Sequence, residues 1–192
     1  MSKSLGTGVD PILLVEQYGA DATRFGLLWQ MAQGQDMKFG EEAILNGQRF
    51  ANKIWNASRF ALLNLNDYKK PTPEKYRSDI EPLLTTEDRD ILNKLKSTIE
   101  STNKYFEKYD FQHAVEMLYD FFWHEFCDKT IENTKVRIRD NDITKEAAQY
   151  TLHTVLIDSL KLLHPAMPFI TEEIWMNLHE DKPLILSSWP KA

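Results

Sequence analysis

The sequence predicts an all-α fold, an antiparallel helical bundle with a small mixed α/β segment at its amino end. Beyond Glu41, four long stretches repeat apolar residues every three or four positions, the period of a helix with one buried face. Proline, threonine and aspartate punctuate short connections between them, which sets neighbouring helices antiparallel. Five of the seven glycines lie between Gly6 and Gly34, giving the first forty residues a different texture.

In chain order, Asp10-Pro11 opens a short helix through Ile12-Leu13-Leu14-Val15, with Pro in its first turn and Gly19 as its stop. A second short helix is expected from Asp21 to about Ala32. The alternation in Gly34-Gln35-Asp36-Met37-Lys38-Phe39 predicts a short strand. Residues 1–40 are therefore set apart from a bundle over 41–192. The first long helix runs from Glu41 to about Leu65, with Ile44, Phe50, Ile54, Ala57, Ala61 and Leu65 on its apolar face. A linker with Pro71, Pro73 and Pro82 follows. Thr85-Thr86-Glu87-Asp88 offers threonine caps and first-turn acids for a helix to about Tyr109. Asp110 is expected to cap a third, striped by Phe111, Val115, Leu118, Phe122 and Phe126. Thr144 is expected to cap a fourth, broken by Pro165 and Pro168, and Thr171 to Leu178 forms a last short helix.

Composition excludes several classes. One cysteine, Cys127, cannot make an intrachain disulfide and fits a reducing compartment. No apolar run approaches the length of a membrane span, and the amino end has no apolar core of a secretory signal, so a cytoplasmic protein with no membrane partner is expected. The net charge is −6, but residues 47–77 hold seven basic and two acidic side chains, a local charge of +5 on an otherwise acidic chain. That stripe suits a selective contact with phosphates; a solvated helix face is the plainer reading.

The sequence starts Met1-Ser2-Lys3-Ser4, and Lys3 between hydroxyl residues and near glycines suits phosphate chemistry. Asp10-Pro11 follows, then Tyr18-Gly19-Ala20-Asp21-Ala22-Thr23-Arg24. In order and spacing this text resembles the second catalytic signature of class I aminoacyl-tRNA synthetases and the segment after it. Gly34 to Phe39, Phe50-Ala51-Asn52-Lys53-Ile54-Trp55-Asn56-Ala57-Ser58-Arg59-Phe60, Trp123 to Asp128 and His164 to Trp175 are most similar to the valyl branch. The resemblance covers nearly the whole chain. It implies that Lys3, with Ser2 and Ser4, meets ATP phosphates in a parent enzyme that uses ATP and Mg²⁺ to join valine to its tRNA. It also implies that residues 1–40 end the catalytic region and that 41–192 bind the anticodon region. The first lysine of that signature is absent, and neither a His-x-Gly-His signature nor a Rossmann unit occurs. The text reads as a piece cut at both ends, with the rest of the synthetase missing, no catalysis of its own and no bound cofactor expected.

A helical wheel at about 100° per residue places Arg49, Lys53, Asn56, Arg59 and Phe60 on one face, and Phe50, Ile54, Ala57 and Ala61 on another. Cations for phosphates, an amide for base edges and a ring for stacking are what a single-stranded loop requires. These five residues are the candidate tRNA contacts, although Phe60 could equally pack on a neighbouring helix. His124-x-x-Cys127-Asp128 approaches ligand spacing but lies in an aromatic helix without further partners, so no metal is expected. Glu172 and Glu173 read as first-turn acids, and Trp55, Trp123 and Trp175 as core or helix-contact residues. A monomer that binds valine tRNA, and no DNA, is expected. The rivals are the same region of an isoleucyl enzyme and a helical module that docks a protein.

Overall fold

The computed structural model describes residues 9–32, 34, 36, 37, 39–178 and 182–192. Two short helices, α1 (Pro11–Tyr18) and α2 (Ala20–Trp29), precede the first long one, α3 (Glu41–Asn64). A broken linker follows as a single turn, α4 (Pro73–Lys75), a π turn at Tyr76–Ile80 and a 3-10 turn at Glu81–Leu83. Then come α5 (Thr86–Glu107), α6 (Phe111–Asp120), a π segment (Phe121–Ile131), α7 (Glu132–Arg139), α8 (Lys145–Leu163) and α9 (Pro168–Asn177), and a 3-10 turn at Leu184–Leu186 ends the order. The rod from α6 through the π segment to α7 is continuous, so among the described residues the long helices number four, as the apolar period predicts. Among the described residues no helix is long and apolar enough to cross a membrane.

The core lies where α8 meets α3, α5 and the π segment. Phe50, Ile54, Ala57 and Ala61 of α3 are buried there with Leu95 and Ile99, Phe122 and Phe126, and Leu152, Val155, Leu156 and Leu160. The apolar stripe inferred for α3 is therefore its core face. Phe25 of α2 joins the same core, its ring 5.1 Å from that of Phe50.

The segment Tyr18 to Arg24 is a staple. Asp10 Oδ1 accepts from the Ile12 N–H at 2.9 Å to start α1. Gly19 ends it with φ at 90°, a conformation that L side chains rarely adopt, and starts α2. The buried Asp21 carboxylate then accepts from the N–H groups of Phe169 at 3.1 Å and Ile170 at 2.6 Å, satisfying donors at the start of α9. One turn on, Arg24 donates to the carbonyls of Pro165 at 2.8 Å and Ala166 at 3.3 Å. The α8–α9 corner is thus held at both helix ends by α2.

Local expectations met mixed outcomes. Thr85 and Asp88 form a reciprocal capping box at α5. Asp110 does not cap α6 with its side chain; its carboxylate takes His113 Nδ1 at 2.8 Å instead. Thr144 does not cap α8 either, because its hydroxyl is already used. It donates to Asp142 at 2.6 Å and accepts from Arg137 Nε at 2.8 Å. Pro168 opens α9, where its missing N–H costs nothing, so Glu172 falls beyond the first turn and accepts from the Leu184 N–H at 3.0 Å. The expected strand over 34–39 is not found among its described residues. A strand needs a ladder partner, and the described residues 34, 36, 37 and 39 have none; just after them the Gly40 N–H donates to the Gln30 side chain.

Candidate nucleic-acid interface

The exposed side of α3 carries the candidate contacts. Burying Ile44, Phe50, Ile54, Ala57 and Ala61 turns Arg49, Asn52, Asn56 and Arg59 outward. Arg49 donates to Asn46 Oδ1 at 3.2 Å, a contact within its own helix that leaves the charge unpaired. Asn56 and Arg59 have no protein partner among the described residues. With Asn52, likewise exposed and unpartnered among the described residues, this face offers two cations and two amides not committed to holding the fold together.

Lys53 and Phe60 are placed differently. Lys53 Nζ lies 3.1 Å from Asp128 Oδ1 on the π segment and 5.0 Å from the centre of the Trp123 ring. Partial burial pushes the Asp128 carboxyl up, but hydrogen bonds from Lys53 and His124 outweigh it and hold the group below its usual range. Lys53 thus bridges α3 to the neighbouring rod. Phe60 is half-buried and packs against the core. Its ring is anchored, and only part of it reaches the surface.

Trp55, expected among the core or helix-contact residues, is 40% exposed. It stands one turn before Arg59. The wheel already places it near Arg59 on the outer side, but the size and apolarity of an indole argue for burial, so the sequence alone misassigns it. Trp175 does serve as a core residue, with Nε1 donating to the Lys182 carbonyl at 2.8 Å.

The basic stripe continues past α3. Of its seven cations, Lys53 and Lys75 are paired, the latter with Glu146 at 3.4 Å. Arg49, Arg59, Lys69, Lys70 and Arg77 make no ion pair among the described residues. The positive field over residues 47–77 is therefore largely unneutralised locally, which is what counterion exchange with a phosphate backbone requires.

His124, Cys127 and Asp128 do not converge on a point. His124 Nδ1 meets Asp128 at 3.3 Å on the surface, while Cys127 is buried and its thiol pushed up to about 12 by that burial. Among the described residues no three His, Cys, Asp or Glu side chains group as metal ligands would. Ser2, Lys3 and Ser4 lie outside the described residues.

A helical bundle with a basic face that is largely unpaired is the class defined so far, and its fold has a solved counterpart. The chain superposes over its whole length on 22% of the synthetase in the agnB2 LeuRS–tRNA–LeuAMS ternary complex of Agrobacterium radiobacter K84, with a TM-score of 0.77 and 22% identity. At that identity the likeness is one of fold. Residues 88–192 match the family model described as the anticodon-binding domain of tRNA ligase, and the chain belongs to this family. Over its entire length it is 46% identical to the valine–tRNA ligase of Pseudothermotoga lettingae and 45% identical to those of Geobacillus stearothermophilus and Geobacter sulfurreducens. It spans about a fifth of the length of these relatives, 21% of the first and 22% of the other two. The resemblance stated from the motifs is thereby borne out.

Proposed function

We propose that this chain is the tRNA-positioning part of a valine–tRNA ligase, and that the exposed face of α3 meets the anticodon loop. The observation that carries this reading is the uncommitted set Arg49, Asn56 and Arg59 on one helix face of an anticodon-binding-family bundle. Lys53 contributes its charge from within the Asp128 pair, and Phe60 presents the part of its ring that the core leaves uncovered. Residues 1–40 connect this bundle, residues 41–192, to the catalytic region. In the whole enzyme Lys3, with Ser2 and Ser4, acts on the phosphates of ATP, whose Mg²⁺ offsets charge there, before valine passes to its tRNA. The protein works in the cytoplasm as a monomer.

The test is a salt series of binding to valine tRNA, set beside a copy with altered anticodon bases and an Arg59→Ala variant. The native anticodon is expected to bind best. Arg59→Ala should weaken binding about tenfold and lower the salt slope by about one. Equal, weak binding to every RNA, unchanged in the variant, would move recognition off this face.

A further inference from the structure

Beside the carboxy-terminal half of α3, a cleft of about 450 Å³ opens where the chain leaves the helix and turns through Tyr68 to Lys70. The volume falls within the roughly 300–1,000 Å³ of small-ligand pockets. Cations, leucines, an aromatic pair and the amides of Asn66 and Asn177 line it. Arg59 and Lys70 bring positive charge and have no ion-pair partner among the described residues. Leucines, among them Leu62 and Leu63, make its apolar part. His153 of α8 and Tyr68 supply an aromatic pair, their ring centres 4.9 Å apart.

The imidazole explains what such a cleft holds. Burial, with Lys70 and Lys161 nearby, pushes the His153 pKa down to about 4, so the ring is neutral at physiological pH. A neutral imidazole offers one donor and one acceptor, and those of His153 have no protein partner among the described residues. An uncharged ring with unused edge groups, next to leucines and two cations, complements a nucleotide, which brings a flat apolar face, a polar edge and a phosphate. Arg59 belongs both to this cleft and to the outer face of α3, so the two surfaces are continuous.

We propose that this cleft takes one unpaired nucleotide of the RNA held on α3, with its base against His153 and the leucines and its phosphate on Arg59 and Lys70. The inference rests on the tRNA-binding reading above and adds to it a second pocket, lined partly by α8 and by the linker.

The test uses stem-loop RNAs carrying the valine anticodon, each with one loop nucleotide made abasic. They are bound to a Leu63→Cys variant before and after attachment of a bulky maleimide. Leu63 is 62% exposed, so the substitution spares the core, and the buried Cys127 thiol stays protonated and unlabelled. In the unlabelled protein one abasic position is expected to weaken binding about tenfold. After labelling, overall binding should fall and the penalty at that position should vanish, while penalties elsewhere persist. Lys70→Ala should weaken binding more at low salt than at high salt. Identical abasic profiles before and after labelling would overturn the cleft proposal and leave the α3 reading intact. No binding by the unlabelled protein to any loop would overturn both.

Discussion

Gly26 on α2 and Gly47 on α3 set the closest approach of those helices. A Cβ on Gly26 would lie 2.6 Å from the Ile44 Cα, and one on Gly47 would lie 2.7 Å from the Ala22 carbonyl oxygen. Both obstacles are backbone, which cannot swing aside as a side-chain tip can. Gly26→Ala is therefore expected to lower stability by about 2–3 kcal/mol, the scale of overpacking, despite the better helix propensity of alanine. Urea midpoints check it, and an unchanged midpoint would mean that the helices can slide apart at little cost. On α3, two neighbouring candidates should part company. Phe60 packs on the core, so Phe60→Ala should cost about 2 kcal/mol of stability whatever it does to RNA binding. Asn56 is exposed and unpartnered, so Asn56→Ala should leave stability within about 0.5 kcal/mol and weaken binding to valine tRNA. Unfolding and binding measured on the same two variants separate anchor from contact. Burial on a wheel was readable for Phe50 or Ile54, whose angle and chemistry agree. It was not readable for Phe60 and Trp55, where hydrophobicity and angle point opposite ways.

Charged groups at element ends add to the apolar faces in holding the elements together. Asp88 is 2% exposed, caps α5 through Thr85, and also receives Arg137 of α7 in a bidentate pair at 2.9 and 2.8 Å. Removing Arg137 would leave a buried carboxylate with only its cap partner. Arg137→Ala should cost about 3–5 kcal/mol, more than loss of any exposed pair in the bundle, such as Arg139 with Asp140. Thermal or urea unfolding of the two alanine variants side by side tests that ranking, and equal small losses would refute it. The capping box at Thr85 was legible because its partners are three residues apart. The Arg137 half of the same site, and the Asp21 carboxylate on α9 at 148 and 149 residues' separation, were not, since nothing local marks a long-range partner. The π segment was hidden for another reason. Its eleven residues keep an apolar stripe compatible with α spacing, and only the hydrogen-bond register differs. That wider register places Asp128 toward Lys53 of α3 and Glu125 toward Lys94 of α5, at 3.1 and 2.9 Å, so one rod is tied to two neighbours.

Across the whole molecule, the basic surface on an acidic chain has a consequence for acid stability that centres on His153. Lys70 from the linker and Lys161 from α8 both oppose its protonation, after burial as the main cause, and its folded pKa falls to about 4. Asp158 is paired with Lys161 at 3.6 Å, and burial pushes its own carboxyl up. The unfolded chain binds a proton at His153 from about pH 6.5 downward, whereas the folded chain does so only near pH 4. In that window the unfolded state holds more protons, so this histidine makes stability fall as pH falls from about 6.5 to 4. The full shift corresponds to at most about 3 kcal/mol, and partial solvent access at the cleft makes about 2 kcal/mol the expected size. Asp158 acts with the opposite sign at the acid end, so the histidine is best isolated by difference. Urea unfolding of the protein and of His153→Asn at pH 7 and pH 4.5 does this, because Asp158 titrates in both. The variant should lose about 1–2 kcal/mol less than the parent over that interval. Parallel losses would mean that the ring takes up its proton in place, and with that the neutral edge facing the cleft would be gone at mildly acid pH.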